Sequence, residues 1–296
     1  MDLRYIDCGY DEFPFSEMEG EGMATLEADF GATYLATRTH VVYRQVGDRE
    51  LYLNFVAPES PGPLPLVVYV QGSAFHKQDV DDGLGRLSCF AQRGYAIASV
   101  EYRESDIAPF PAQALDTKYA IQYLVQHAGE LNIEPSEILL WGDSSGGHTV
   151  LMTAFTRGVE GIVADDLEEY PIAGVVDYYG PISFYDMNEQ PSMQNHRDPD
   201  SPEGYELGKV EVTAGNSKVA DVREYIGEST PPVLIVHGDK DRLVPFGQSC
   251  LLNDALLAAG KSVEFYRLHG ADHAGAPFWA PEVLDIVDSF MRRCIA

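Results

Sequence analysis

The sequence is short of positive charge. Against 47 aspartates and glutamates it carries 20 lysines and arginines, a formal net charge of −27 over 296 residues. Such a chain repels polyanions, so neither nucleic acid nor an anionic membrane surface is expected as a partner. Cysteine is sparse as well. Cys8, Cys89, Cys250 and Cys294 are scattered with no C-x-x-C pair, which argues against a zinc site or a disulfide framework and leaves reduced, buried thiols as the expectation. No apolar run reaches the ~20 residues that span a bilayer. The opening residues, Met1-Asp2-Leu3-Arg4-Tyr5-Ile6-Asp7, lack the basic-then-apolar pattern of a secretory signal. A cytoplasmic location is therefore expected. The acidic run Asp79-Val80-Asp81-Asp82-Gly83 lacks the ligand offsets of a calcium loop and reads as a solvated helix start. No metal and no organic cofactor is implied.

What is present is a core and a rhythm. Hydrophobic residues make up 45% of the chain, enough for one large α/β domain. Residues 1–38 are acidic and weakly patterned, a lead-in segment; the domain proper is expected over 39–296. It opens with alternating runs, His40–Val46 and Leu51–Val56, around Gly47-Asp48, which is a hairpin signal. Leu66–Val70 is continuously apolar, as a strand buried on both faces of a parallel sheet reads. Helix and strand patterns then alternate: a helix over 83–93, strands at 95–100 and 137–141, a helix over 111–127 and another after residue 147. Further strands follow at 172–179, 233–237 and 262–268, and helices at 247–259 and 282–293. Alternation of this kind implies right-handed crossovers and a mostly parallel sheet with helices on both faces, here with an N-terminal antiparallel hairpin. Residues 181–230, rich in Pro, Asp, Glu and Gly, break the rhythm and read as an insertion near the mouth of a site, with helical patches at 201–208 and 216–225.

One stretch carries the chemistry. Trp141-Gly142-Asp143-Ser144-Ser145-Gly146-Gly147 lies between a strand pattern and a helix pattern. That is the context of a G-x-S-x-G nucleophile elbow, in which a serine sits on a strained turn above the sheet. Gly142 and Gly146 remove side chains that would collide where the chain reverses. The Ser145 amide falls at the helix N-terminus, where free N–H groups favour an oxyanion. A serine hydroxyl needs a histidine base, and the base needs an acid to orient it. In this type of fold the chain order is Ser, then Asp or Glu, then His. The acid is Asp239 or Asp241, with Asp241 preferred because it lies further along its loop; Asp177 reads as structural. The base is His273 or His269, with His273 preferred because small residues surround it. His148 reads as a helix side chain beneath the site and His237 as a core histidine, while His40, His127 and His196 belong to no constellation. A second oxyanion donor is expected from Gln71-Gly72-Ser73-Ala74-Phe75-His76, the loop after the third strand. Phe75, His76, Tyr179 and Trp279, together with Tyr102 and Phe278, are candidates for the substrate pocket.

With these segments placed, the chain resembles an α/β-hydrolase of the esterase/lipase group. More narrowly it is similar to hormone-sensitive-lipase-like esterases and bacterial feruloyl/acetyl-xylan esterase-like enzymes. The matching stretches are Val67 to Phe75, Arg93 to Arg103, Phe110 to Gln113, Trp141 to His148, Pro231 to Pro245 and Gly270 to His273. The resemblance implies the α/β-hydrolase fold with an eight-stranded type of sheet. It implies Ser144 as nucleophile, Asp241 as acid and His273 as base, with an oxyanion hole made by the amides of Gly72, Ser73 and Ser145. The chain departs from the family's His-Gly-Gly-Gly pattern, since Gln71 replaces the histidine and Ser73 a glycine. The expected activity is hydrolysis of small soluble carboxylic esters, acetyl or aryl, on sugars among others. A peptidase or amidase of the same fold and a non-catalytic ligand-binding protein are the alternatives.

Overall fold

The computed structural model of the chain describes residues 6–29 and 34–296. The chain forms two compact units, Met1–Thr33 and Tyr34–Ala296. In the first, the described residues contain one short 3-10 turn, Tyr10–Glu12, and leave Phe15, Met18 and Leu26 exposed.

The second unit is built on eight strands: β1 (Leu35–Val46), β2 (Arg49–Pro58), β3 (Leu64–Val70), β4 (Ala96–Val100), β5 (Ile133–Asp143), β6 (Gly174–Tyr178), β7 (Val233–Gly238) and β8 (Val263–Leu268). Their order across the sheet is β1-β2-β4-β3-β5-β6-β7-β8. β1 pairs antiparallel with β2 and β2 antiparallel with β4; every later pairing is parallel. The first strand starts earlier than its sequence suggests, because Leu35–Arg38 pairs with Phe55–Pro58 on an edge where polar Thr37 and Arg38 face solvent.

The helices are α1 (Leu84–Ala91), α2 (Ala112–Gln126), α3 (Ala128–Leu131), α4 (Ser145–Phe155), α5 (Pro202–Glu206), α6 (Gly247–Ala258) and α7 (Pro281–Ile295). Strand alternation divides the apolar side chains between two cores. On β3, Leu66, Val68 and Val70 join one core with residues of α2, α4 and α6. Val67 and Tyr69 join the other, with Leu87, Phe90 and Ala91 of α1 and Val287, Phe290 and Met291 of α7. Residues 181–230 hold α5 and 3-10 turns at Asp186–Glu189, Ser217–Ala220 and Val222–Tyr225, shorter than the helical patches expected there. All four cysteines are free, and none is fully buried; Cys89 is exposed, contrary to the expectation of buried thiols. Cys89 sits on α1 between Leu87 and Phe90, which take the inward positions. Among the described residues, no helix is long and apolar enough to cross a membrane.

Two features of this core have measurable consequences. Phe90 is fully buried, stacked on Tyr95 and edge-on to Trp141. Phe90→Ala is expected to lower the unfolding free energy by about 3–5 kcal/mol, read from denaturant titration. Asp177, fully buried on β6, receives among the described residues one hydrogen bond, from the Gly180 N–H at 3.0 Å, and its other oxygen has no partner there. Burial pushes its carboxyl up to about 7, the Gly180 bond pulling down and the charge of Asp143 adding to the rise. In the unfolded chain the same group titrates near ~3.9. Between these values the unfolded chain has released a proton that the folded chain keeps, so stability falls as pH rises through the window and the loss is complete above about 7. Asp177→Asn removes that slope. Its effect on stability should be more favourable at pH 8 than at pH 4 by on the order of 3 kcal/mol. An identical effect at both pH values would contradict this account of Asp177.

Candidate active site

The site is assembled at the C-terminal ends of β5, β7 and β8. β5 runs into Ser144, whose backbone has φ 54° and ψ −126°, and α4 begins at the next residue. The turn is held by the Ser144 N–H, which donates to the Tyr178 carbonyl at 2.8 Å. Neighbouring glycines make the turn sterically possible. A Cβ on Gly142 would strike the Gly146 carbonyl, and a Cβ on Gly146 would strike that of Val70. Gly72 matters in the same way: a Cβ there would lie 2.7 Å from the Ser144 Cβ and 2.6 Å from the Asp143 carbonyl oxygen.

Ser144, His273 and Asp241 come together. His273 Nε2 is 2.9 Å from Ser144 Oγ, and His273 Nδ1 is 2.6 Å from Asp241 Oδ2. The carboxylate only accepts, so Nδ1 carries the hydrogen and the Nε2 lone pair faces the serine hydroxyl. Asp241 is buried and receives four donors. Leu243 and Val244 N–H groups donate to Oδ1 at 2.8 and 2.9 Å, and His273 and His237 to Oδ2. Burial raises the Asp241 carboxyl, but the bonds from His237 and His273 outweigh it and hold the group below the usual carboxylate range. Asp239 is engaged differently, accepting from the Gly270 N–H at 2.7 Å and lying 2.8 Å from Nδ1 of His269. The two Asp/His alternatives thus form two separate pairs, and the His269 side chain is exposed.

His237 is more than a packed core residue. Its Nε2 lies 3.1 Å from both Asp241 Oδ2 and the Val244 carbonyl. Both are acceptors, so Nε2 carries the hydrogen; in the neutral ring Nδ1 then accepts from Ser249 Oγ at 2.7 Å. The sequence held a hint, since His237 lies four residues before Asp241 at a strand end. His148 lies buried beneath the site, its Nε2 2.8 Å from the Ala220 carbonyl, with burial holding its ring down at about 4.

The amides expected to bind an oxyanion are differently disposed. Ser145 is the first residue of α4, where an N–H has no intrahelical acceptor. The other two are engaged within the protein. The Gly72 N–H donates to Asp143 Oδ1 at 3.2 Å, and the Ser73 N–H to Ser145 Oγ at 2.8 Å. The serine in place of a family glycine anchors its loop, because Ser73 Oγ donates to the His76 carbonyl at 2.6 Å and meets the Tyr102 hydroxyl at 2.9 Å. The Asp143 carboxyl is raised by desolvation and drawn back by the Tyr69 hydroxyl and the Gly72 amide.

A cavity of about 260 Å³ opens at Ser144, His273, Ser73 and Phe75. The other pocket candidates fall elsewhere. His76 is turned toward Tyr205 and Asp106 and does not line this cavity. Trp279 is packed between Trp141 and the Arg86 guanidinium, so both of its faces are covered; with Tyr179 it lines a neighbouring pocket of about 500 Å³. Tyr179 instead sets its ring against the His273 imidazole, centroids 4.8 Å apart. The cavity residues without a sequence signal include the polar Gln194 and Glu203, both from the irregular 181–230 stretch. His196, which had no constellation in the sequence, is buried with its Nδ1 3.0 Å from Glu203 Oε2. Among the described residues, no cluster of His, Cys, Asp and Glu could hold a metal ion.

The comparisons agree with this architecture. A truncated carbohydrate esterase from gut microbiota superposes with a TM-score of 0.77 at 26% identity, covering 88% of this chain and 96% of that one. Est2, a thermophilic esterase from the Planctomycetes species Thermogutta terrifontis, shares the fold at TM-score 0.71 and 22% identity, over 87% of this chain and 92% of its own. Esterase LipQ of Mycobacterium tuberculosis is 24% identical over 246 residues, covering 81% of this chain and 58% of LipQ. The chain spans about half the length of the curated relatives it matches. Residues 52–256, well over half of the sequence, match the model of one family, and the chain, an α/β-hydrolase, belongs to that family, BD-FAE.

Proposed function

We propose that this protein is a serine carboxylesterase that hydrolyses small soluble carboxylic esters through an acyl-enzyme. The observation that carries the reading is the hydrogen-bonded line Ser144 Oγ, His273 Nε2, His273 Nδ1, Asp241 Oδ2, with contacts of 2.9 and 2.6 Å. In this reading Ser144 Oγ attacks the ester carbonyl as His273 Nε2 takes its proton. The buried Asp241 carboxylate stabilises the imidazolium that forms. His273 returns the proton to the leaving alcohol, then activates water against the acyl-enzyme, and Ser144 is released with the acid. The Ser145 amide donates to the oxyanion. The Ser73 amide joins it when the Ser145 hydroxyl turns away.

Carboxylic ester hydrolysis is supported by the names of the relatives, an esterase among the curated proteins and a carbohydrate esterase among the solved structures. The second name favours esters on sugars as substrates. An amidase or peptidase would use the same serine, but no relative reported above carries such a name. A purely ligand-binding role would leave the aligned Ser–His–Asp geometry unexplained.

The test is a rate series on p-nitrophenyl esters from acetate to octanoate. Ser144→Ala should lower kcat/KM by on the order of 10⁴-fold or more, and Asp241→Asn by a comparable factor. His237→Leu takes one donor of four from Asp241 while leaving the serine and its base in place. Its expected loss is milder, about 10- to 100-fold. Wild-type protein as inert as Ser144→Ala across the series would sink the esterase reading.

A further inference from the structure

Glu203 is a buried acid in the same cavity as Ser144 and His273, and the reaction described above does not use it. Its surroundings determine what it can recognise. Ser192 Oγ lies 2.9 Å from the Leu243 carbonyl and 3.3 Å from that of Arg242, and both can only accept. The single Ser192 hydrogen is therefore committed to the backbone, and Ser192 Oγ must accept from His196 Nε2, 2.9 Å away. With Nε2 carrying its hydrogen, the other ring nitrogen, Nδ1, faces Glu203 Oε2 at 3.0 Å. Two lone pairs cannot face each other at that distance in a buried site, so one proton lies between them. The pair is neutral overall, whether written as imidazolium and carboxylate or as imidazole and carboxylic acid. In both forms Glu203 Oε1 is an acceptor. It receives no hydrogen bond among the described residues, while Glu203 lines the cavity beside apolar Pro181, Pro202, Leu243 and Val244. An acceptor so placed favours a ligand that brings a donor, because a ligand that displaces water from the pocket without replacing its hydrogen bond leaves the oxygen unsatisfied.

We infer that Glu203, oriented by His196, is a specificity-determining residue that selects esters bearing a hydroxyl group on the part of the substrate lodged in this cavity. The inference rests on the serine esterase reading and narrows its substrate class. Neutrality of the pair matches a neutral hydroxyl donor and gives a cation no special advantage.

The experiment compares kcat/KM for two matched pairs of substrates on the whole chain. One pair places the hydroxyl on the acyl group, p-nitrophenyl 3-hydroxybutanoate against butanoate. The other places it on the alcohol, 2,3-dihydroxypropyl butanoate against propyl butanoate. The wild type should prefer the hydroxylated member of at least one pair by about 10-fold or more. Glu203→Met, of similar length and without an oxygen, should bring that ratio close to one. Glu203→Gln should restore the preference, since its amide N–H₂ can donate to His196 Nδ1 and leave its carbonyl toward the cavity. Thermal melts of both variants establish that each is folded, and a Glu203→Met protein that does not fold is replaced by Glu203→Leu. Two results overturn the inference while leaving the esterase reading intact: ester hydrolysis with no preference in either pair, or a preference that survives in the folded apolar variant. A ratio lost equally in Glu203→Gln overturns the neutral pair and the inference with it. Wild type inert toward all four esters, and toward the p-nitrophenyl series, overturns the esterase reading and this inference together.

Discussion

The backbone of Ser144 is the constraint on which the rest of the site depends. A non-glycine residue at φ 54° and ψ −126° sits in a sparsely populated region and costs on the order of 1–3 kcal/mol. It persists because the surroundings over-determine it. β5 is locked by pairing on both edges, with β3 and β6, and α4 starts without an intervening loop. The Ser144 N–H is fastened to β6 through the Tyr178 carbonyl. The helix can approach the sheet this closely only where Cβ atoms are missing, which is why Gly142, Gly146 and Gly72 lie at the three points of backbone contact. The strain points the serine side chain at the imidazole and places the first amides of α4 beside it.

The second constraint is electrostatic. Asp241 is removed from water on a chain of net charge −27, and a buried isolated carboxylate in that setting would take up a proton. Four donors prevent this. Two are backbone amides that shape the loop after β7, and two are imidazoles that approach the same oxygen from different elements. Asp177 supplies the contrast. It is equally buried but has one donor, and its carboxyl is pushed up toward neutrality. Between Asp177 on β6 and Asp241 in the loop after β7, the donors and the two imidazoles around Asp241 set the opposite directions of their shifts.

Most of this order was legible in the sequence because it is local. Continuous apolar runs at Leu66–Val70 and Val233–Val236 mark strands covered on both faces, and the Gly-flanked Ser144 between a strand and a helix marks the elbow. The start of β1 was harder to see, since an edge strand of polar residues has no apolar alternation to announce it. Pocket residues were the least legible. His76 and Trp279 follow the right motifs in sequence, but side-chain direction, which no spacing encodes here, turns one toward Tyr205 and packs the other between Trp141 and Arg86. The engaged state of the Ser73 amide was equally hidden, because it depends on a hydroxyl 72 positions away.

The stretch 181–230 explains why recognition is harder to read than chemistry. Ser144, Asp241 and His273 follow the ends of β5, β7 and β8, and the sheet fixes their relative positions through a repetitive ladder that sequence periodicity reveals. Glu203 and His196 are instead positioned by a short helix and irregular turns. Asn188 accepts from the His196 N–H at 2.8 Å, the Ser201 hydroxyl caps α5, and Ser192 ties the segment to the Leu243 carbonyl in the loop that carries Asp241. That last tie has a functional meaning. The segment that carries Glu203 and the loop that carries Asp241 are joined by the Ser192 hydroxyl and by the Met193 N–H, which donates to the Arg242 carbonyl at 2.8 Å, so the irregular segment is anchored beside the loop after β7. A segment of short helical turns and loops can change its residues without disturbing the sheet, and ties such as Ile182 N–H to Gln248, Ala220 to His148 and Ser192 to Leu243 keep what it presents in register with Ser144.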